Sequence, residues 1–176
     1  MNASIMNASS LLQRFNTTIQ QWIDYLDDYT LDDLCKQPRQ GSWSLGQVYR
    51  HIIDDTGWFA GQMKAALATD DNRDGSMHPN GQWIFRNDGF PDTMIEGPAT
   101  NTFIPQPQSK EELRQGLMTI REEVNGLASG FERSGSAGKT EHPGFRFFTA
   151  LEWLQFAEMH MRHHFRQKKR IDALLT

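Results

Sequence analysis

Apolar positions recur with a helical period along most of the chain. Leu12, Phe15, Ile19, Trp22, Ile23 and Leu26 are spaced by threes and fours, so one apolar face runs from about Ser9 to Asp28. A further turn of helix is expected over 30–36, where Thr30-x-x-Asp33 resembles a capping arrangement, before Pro38 and Gly41 break the chain. A second long helix opens at Ser44-Leu45-Gly46-Gln47 and continues to about Ala68 on the stripe Leu45, Val48, Ile52, Phe59, Met63 and Ala66. A third opens at Ser109-Lys110-Glu111-Glu112, with Leu113, Leu117, Ile120, Val124 and Leu127 as its stripe. The last opens at Thr149-Ala150-Leu151-Glu152 and runs to about Leu174. In each of these three openings a hydroxyl and a Glu or Gln three residues later can satisfy orphan amides reciprocally. No strand alternation competes with these helices. The expectation is an all-α four-helix bundle forming one domain over residues 1–176.

Residues 70–108 interrupt the pattern. Pro79, Pro91, Pro98, Pro105 and Pro107 lie here, five of the chain's seven prolines. The segment also carries Trp83, Ile84, Phe85, Phe90, Met94, Ile95, Phe103 and Ile104. These need burial, which predicts a long ordered loop between helices two and three, packed on the bundle. Ser134 to Lys139 reads as a glycine/serine loop. The last helix has a second apolar stripe, Leu151, Leu154, Met161 and Phe165. A helix apolar on two sides is covered on two sides, here by the 70–108 segment or by a second subunit.

A chain of 176 residues that is 38% hydrophobic and 23% charged can build a sizeable core. Its net charge of −4 predicts no general attraction to nucleic acid or acidic lipid. The basic run Arg162, Arg166, Lys168, Lys169 and Arg170 sits where cations favour a helix C-terminus. A single cysteine, Cys35, allows neither an intramolecular disulfide nor a cysteine cage for a metal. No apolar run is long enough to span a membrane and no leader pattern precedes the first helix, so the expected location is the cytoplasm. The tetrapeptide Met-Asn-Ala-Ser occurs at 1–4 and again at 6–9, and the first few residues are expected to fray.

The chemistry rests on histidine. Three of the six histidines fall in His160-Met161-Arg162-His163-His164. On a helix, positions i and i+4 lie about 40° apart, so His160 and His164 share a face while His163 points away from His164. That face is also occupied by Trp153, Phe156, Ala157, Ile171 and Leu174, with Gln167 nearby. His51 lies at the edge of the second helix's stripe, with Asp55 and Gln62 beside it. Burying an unpaired imidazole costs on the order of 1–3 kcal/mol, so inward histidines need a reason. A divalent ion supplies one, since bundle cores build metal sites from facing helices. Ordinary core packing or a pH sensor are the alternatives, and periodicity does not bring the two helices together. Glu158 falls on the opposite face and is set aside.

Trp43-Ser44-Leu45-Gly46-Gln47-Val48-x-x-His51 resembles the start of the corresponding helix in the DinB/YfiT-like superfamily. His142-Pro143-Gly144-Phe145, Leu151-Glu152-Trp153 and His160-x-x-His163-His164-x-x-Gln167 resemble the C-terminal half of one of its branches. Arg146 and Phe148 depart from that branch, standing where it has glycine and leucine. The resemblance implies a DinB-like four-helix bundle that binds a divalent metal through His51, His160 and His164. It joins His51 to the pair, which spacing does not, and it favours a homodimer as the cover of the last helix's second stripe.

Zinc or nickel suit three imidazoles best, with iron, manganese or copper as alternatives. Asp55 is expected to orient a ligand or water, or to act as a base. Gln167, His163 and Trp153 are expected near the pocket, His142 to fix its loop and Glu152 to cap. The expected function is a metal-dependent hydrolase or thiol-dependent transferase acting on a small molecule, the thiol being of low molecular weight. The alternative is a dimeric, non-catalytic metal- or ligand-binding module.

Overall fold

The computed structural model describes residues 7–92 and 103–175. Seven helices and one hairpin are formed among them: α1 Ala8–Tyr25, α2 Leu31–Cys35, α3 Leu45–Ala68, α4 Pro79–Arg86, α5 Lys110–Gly126, α6 Ala128–Phe131, β1 Thr140–His142, β2 Arg146–Phe148 and α7 Ala150–Leu175. The long helices α1, α3, α5 and α7 build the bundle. α7 packs on α3 and α1, and α5 packs on the same two from the other side.

Local chemistry sets the starts. At Ser44 and Thr30 both halves of the capping box are present. At Thr149 the Glu152 amide donates to Oγ1 and the Thr149 amide donates to Glu152 Oε2. The box expected at Ser109 is only half formed. Glu112 donates its amide to Ser109 Oγ, but its carboxylate accepts from the Gln108 amide and pairs with Arg50 on α3. At the start of α3, Gly46 lets the Pro107 ring approach; a β-carbon there would stand 2.7 Å from that ring.

The core runs the length of the bundle. Phe15, Ile19 and Trp22 of α1, Val48, Tyr49 and Ile52 of α3, Leu113 and Leu117 of α5, and Trp153, Leu154, Ala157 and Met161 of α7 are buried. α1 covers the second apolar stripe of α7. Trp22 stacks on Phe165 with ring centres 5.0 Å apart and donates its indole N–H to the Met161 carbonyl. Much of the expected cover is therefore supplied within the chain by α1: Leu154 and Met161 are fully buried, and Leu151 and Phe165 partly so.

The segments between the long helices carry more structure than the periodicity predicts. The 70–108 segment holds helix α4, capped by His78 and opened by Pro79. Its Ile84 is buried and Phe85 and Phe90 lean on the core, but Trp83 is 46% and Phe103 89% exposed. Met94, Ile95 and Pro98 lie outside the described residues, as do the first residues expected to fray. Residues 140–148 form an antiparallel hairpin, with Thr140 opposite Phe148 and His142 opposite Arg146. Three-residue strands are too short to show alternation in the sequence. A 3-10 turn, Ser134–Ser136, lies within the expected glycine/serine loop.

Candidate metal centre

α3 and α7 lie side by side and present their histidines to one another. One ring nitrogen from each of His51, His160 and His164 falls within 4.8 Å of the others. The ring centres are 5.0 Å apart for His51 and His160, 4.8 Å for His51 and His164, and 4.6 Å for His160 and His164. His164 Nε2 and His160 Nε2 stand 3.1 Å apart. Side-chain exposure is only 7% at His51 and 12% at His160, and His164 as a whole is 6% exposed.

Aromatic rings wall the cluster. Trp43, just before the α3 cap, lies 5.1 Å from the His51 ring. Phe59 lies 5.5 Å and Phe90 6.3 Å from His160. Burial disfavours the imidazolium, which lowers His51 to about 4 and His164 to about 3 and holds His160 well below the ordinary histidine value. The neighbouring imidazoles push in the same direction. At neutral pH the three rings are uncharged and carry lone pairs, the form that binds a metal.

Asp55 stands one turn beyond His51, half in solvent at 38% exposure. Its Oδ1 is 3.6 Å from His51 Nδ1 and its Oδ2 3.7 Å from His160 Nε2. Burial, then the neighbouring Asp54, raise its carboxyl to about 6. His160 Nδ1 is buried with no hydrogen-bond partner. The nitrogen that His160 turns to the cluster is Nε2, which faces His164 Nε2 and Asp55 Oδ2. Three nitrogen donors and a carboxylate at the rim suit a divalent transition metal.

The other expected residues fall in different places. Gln167 accepts at Oε1 from His164 Nδ1 over 2.7 Å. His163 is not among the converging nitrogens, although its ring lies 5.2 Å from His164; Arg166 donates to its Nδ1 and its ring lies 5.2 Å from Phe90. It lines a separate 390 Å³ cavity with Trp83, Asp88, Phe90, Arg162 and Arg166. Trp153 is fully buried, with its indole N–H donated to Thr140 Oγ1. Leu174, placed on the histidine face by the wheel, is exposed. His142 Nδ1 accepts from the Gly144 and Phe145 amides and so fixes the hairpin turn.

Glu158 is the residue that sequence reasoning missed. It is 2% exposed, held by Arg14, Arg162 and the Thr18 hydroxyl. The sequence signals were its place within the second apolar stripe, four residues after Leu154 and three before Met161, and an arginine four residues later.

Fold and site together define a four-helix bundle with a three-histidine candidate metal centre between adjacent helices. The chain belongs to the DinB superfamily, whose sequence pattern matches residues 14–167. Among solved structures it is similar to YfiT from Bacillus subtilis, described as a probable metal-dependent hydrolase with an unusual four-helix bundle topology. That match has a TM-score of 0.56 at 15% identity and covers 98% of this chain and 91% of that one, so it shows the fold. No curated protein matches the chain. Among the described residues no helix is long and apolar enough to cross a membrane.

Proposed function

We propose that this protein is a metal-dependent hydrolase of a small molecule, with His51, His160 and His164 holding a divalent ion, zinc or nickel. The observation that carries the reading is Asp55, whose two carboxylate oxygens face His51 Nδ1 and His160 Nε2 from the solvent side. When bound, such an ion supplies Lewis acidity to a substrate carbonyl and acidifies water. Asp55 takes the proton at a carboxylate oxygen, from a position that faces two of the ligand rings. Trp43, Phe59 and Phe90 keep bulk water from the flanks of the rings, which strengthens every charge interaction within.

Untagged protein tests this. Expected are about one divalent ion per chain and slow hydrolysis within a panel of activated esters and amides. A chelator abolishes the hydrolysis and added ion restores it. Asp55→Asn is expected to keep the ion and lose on the order of 10²–10⁴ in kcat, the usual worth of a positioned acid or base. A variant that keeps both ion and rate removes Asp55 from the mechanism.

A further inference from the structure

The three imidazoles are not held alike. His51 Nδ1 has only the Asp55 carboxylate at 3.6 Å, beyond hydrogen-bond length. His160 Nδ1 is buried and unpartnered. His164 Nδ1 makes a 2.7 Å hydrogen bond to Gln167 Oε1. An amide oxygen only accepts, so the proton of that bond belongs to His164 Nδ1. A neutral imidazole carries one ring proton, which leaves His164 Nε2 as a lone pair directed toward His160 Nε2, 3.1 Å away. Gln167 stands three residues along α7, so the restraint is built into the helix and needs no tertiary contact.

Resting on the metal-centre reading, we infer that Gln167 is a positioning residue that fixes His164 as its Nδ1–H tautomer and offers Nε2 to the ion. Outer partners of this kind orient a ligand ring and raise its basicity, and losing one typically weakens metal affinity tenfold to hundredfold. Gln167 is half-buried, and methionine keeps its length while removing the polar acceptor, so the bundle is expected to stay intact.

The test uses the full chain stripped of metal. Zinc is titrated in competition with a chromophoric chelator against the parent, Gln167→Met and Gln167→Glu. Gln167→Met is expected to weaken zinc binding about tenfold to hundredfold. Gln167→Glu, which keeps an acceptor, is expected to bind at least as tightly as the parent. Nitrogen-15 imidazole spectra of the metal-free parent are expected to show His164 protonated at Nδ1, with both tautomers present in Gln167→Met. Equal melting temperatures of the metal-free parent and Gln167→Met separate positioning from support of the fold. Parent-like zinc affinity in Gln167→Met overturns the inference, as does an Nε2–H tautomer at His164 in the parent. A parent that binds no zinc removes the metal centre instead, and the spectra still decide the tautomer.

Discussion

Helix α7 buries ionisable groups on two faces, and the two clusters are finished differently. On one face Glu158 is closed off by its own partners. Arg162 meets both of its oxygens, at 2.9 and 3.0 Å, Arg14 adds a contact at 2.8 Å and Thr18 one at 3.1 Å, while Asp88 completes the ring by pairing with both arginines. Charge and hydrogen bonds are both satisfied within the protein. On the other face three neutral imidazoles converge, one keeps an orphan nitrogen, and the nearest counter-charge is a half-exposed carboxylate. A closed cluster ties helices together; an open one has room for a cation. Burial alone does not mark a functional site, and incomplete satisfaction does so better.

The contrast can be broken by exchanging the effects. The largest change expected is at His160: His160→Leu takes the ion content from about one per chain to none, read by elemental analysis. Because it removes a buried unpartnered polar atom, its metal-free form is expected to melt no lower than the metal-free parent. Glu158→Ala is expected to do the opposite. It removes the buried acceptor that Arg14 and Arg162 share, leaves both the half-exposed Asp88, and costs up to about 3 kcal/mol in urea unfolding, while zinc affinity of the folded fraction stays at the parent value. A fall in zinc affinity there would mean that the two faces are coupled.

Acid provides a smaller, graded test. Burial holds His51, His142 and His163 at about 4 and His164 at about 3. Unfolded histidine titrates near 6.5, so between about 6.5 and 4 the unfolded chain binds more protons than the folded one. Stability of the metal-free protein therefore falls as pH drops through that window. Asp55, raised to about 6, acts in the reverse sense between about 6 and 4, one group against several. Melting temperature measured from pH 7 to 4.5 is expected to fall steadily, and a flat profile contradicts the buried neutral state. The smallest effect belongs to Arg166 and the 83%-exposed Asp92: Asp92→Ala is expected to change stability by less than about 1 kcal/mol, as exposed pairs do.

How much of this was legible in the sequence depended on range. The boundaries of α3 and α7 followed from Ser44 and Thr149, because a capping box is a local event. The pairing of His160 with His164 followed from helical spacing. What brings His51 to them is the packing of α3 on α7, a contact over more than a hundred residues that no periodicity reports. Glu158 was set aside because it falls opposite the histidines; its burial depends on Arg14 of α1 and on Arg162, both of which also pair with Asp88, which follows α4 in a left-handed backbone conformation. The second stripe of α7 was read correctly as buried, but the sequence did not say that α1 covers it. The hairpin was invisible because its strands rest on His142 and a turn rather than on a pattern.

The histidines come from α3 and α7, helices far apart along the chain and adjacent in space. An ion shared between them would act as a staple. It would close a loop of roughly a hundred residues, a restraint that removes several kcal/mol of freedom from the unfolded chain in a chain-entropy account. Loading would then register as slower amide exchange along both helices and as a melting temperature that climbs with free ion, because whatever binds only the folded state shifts the folding equilibrium.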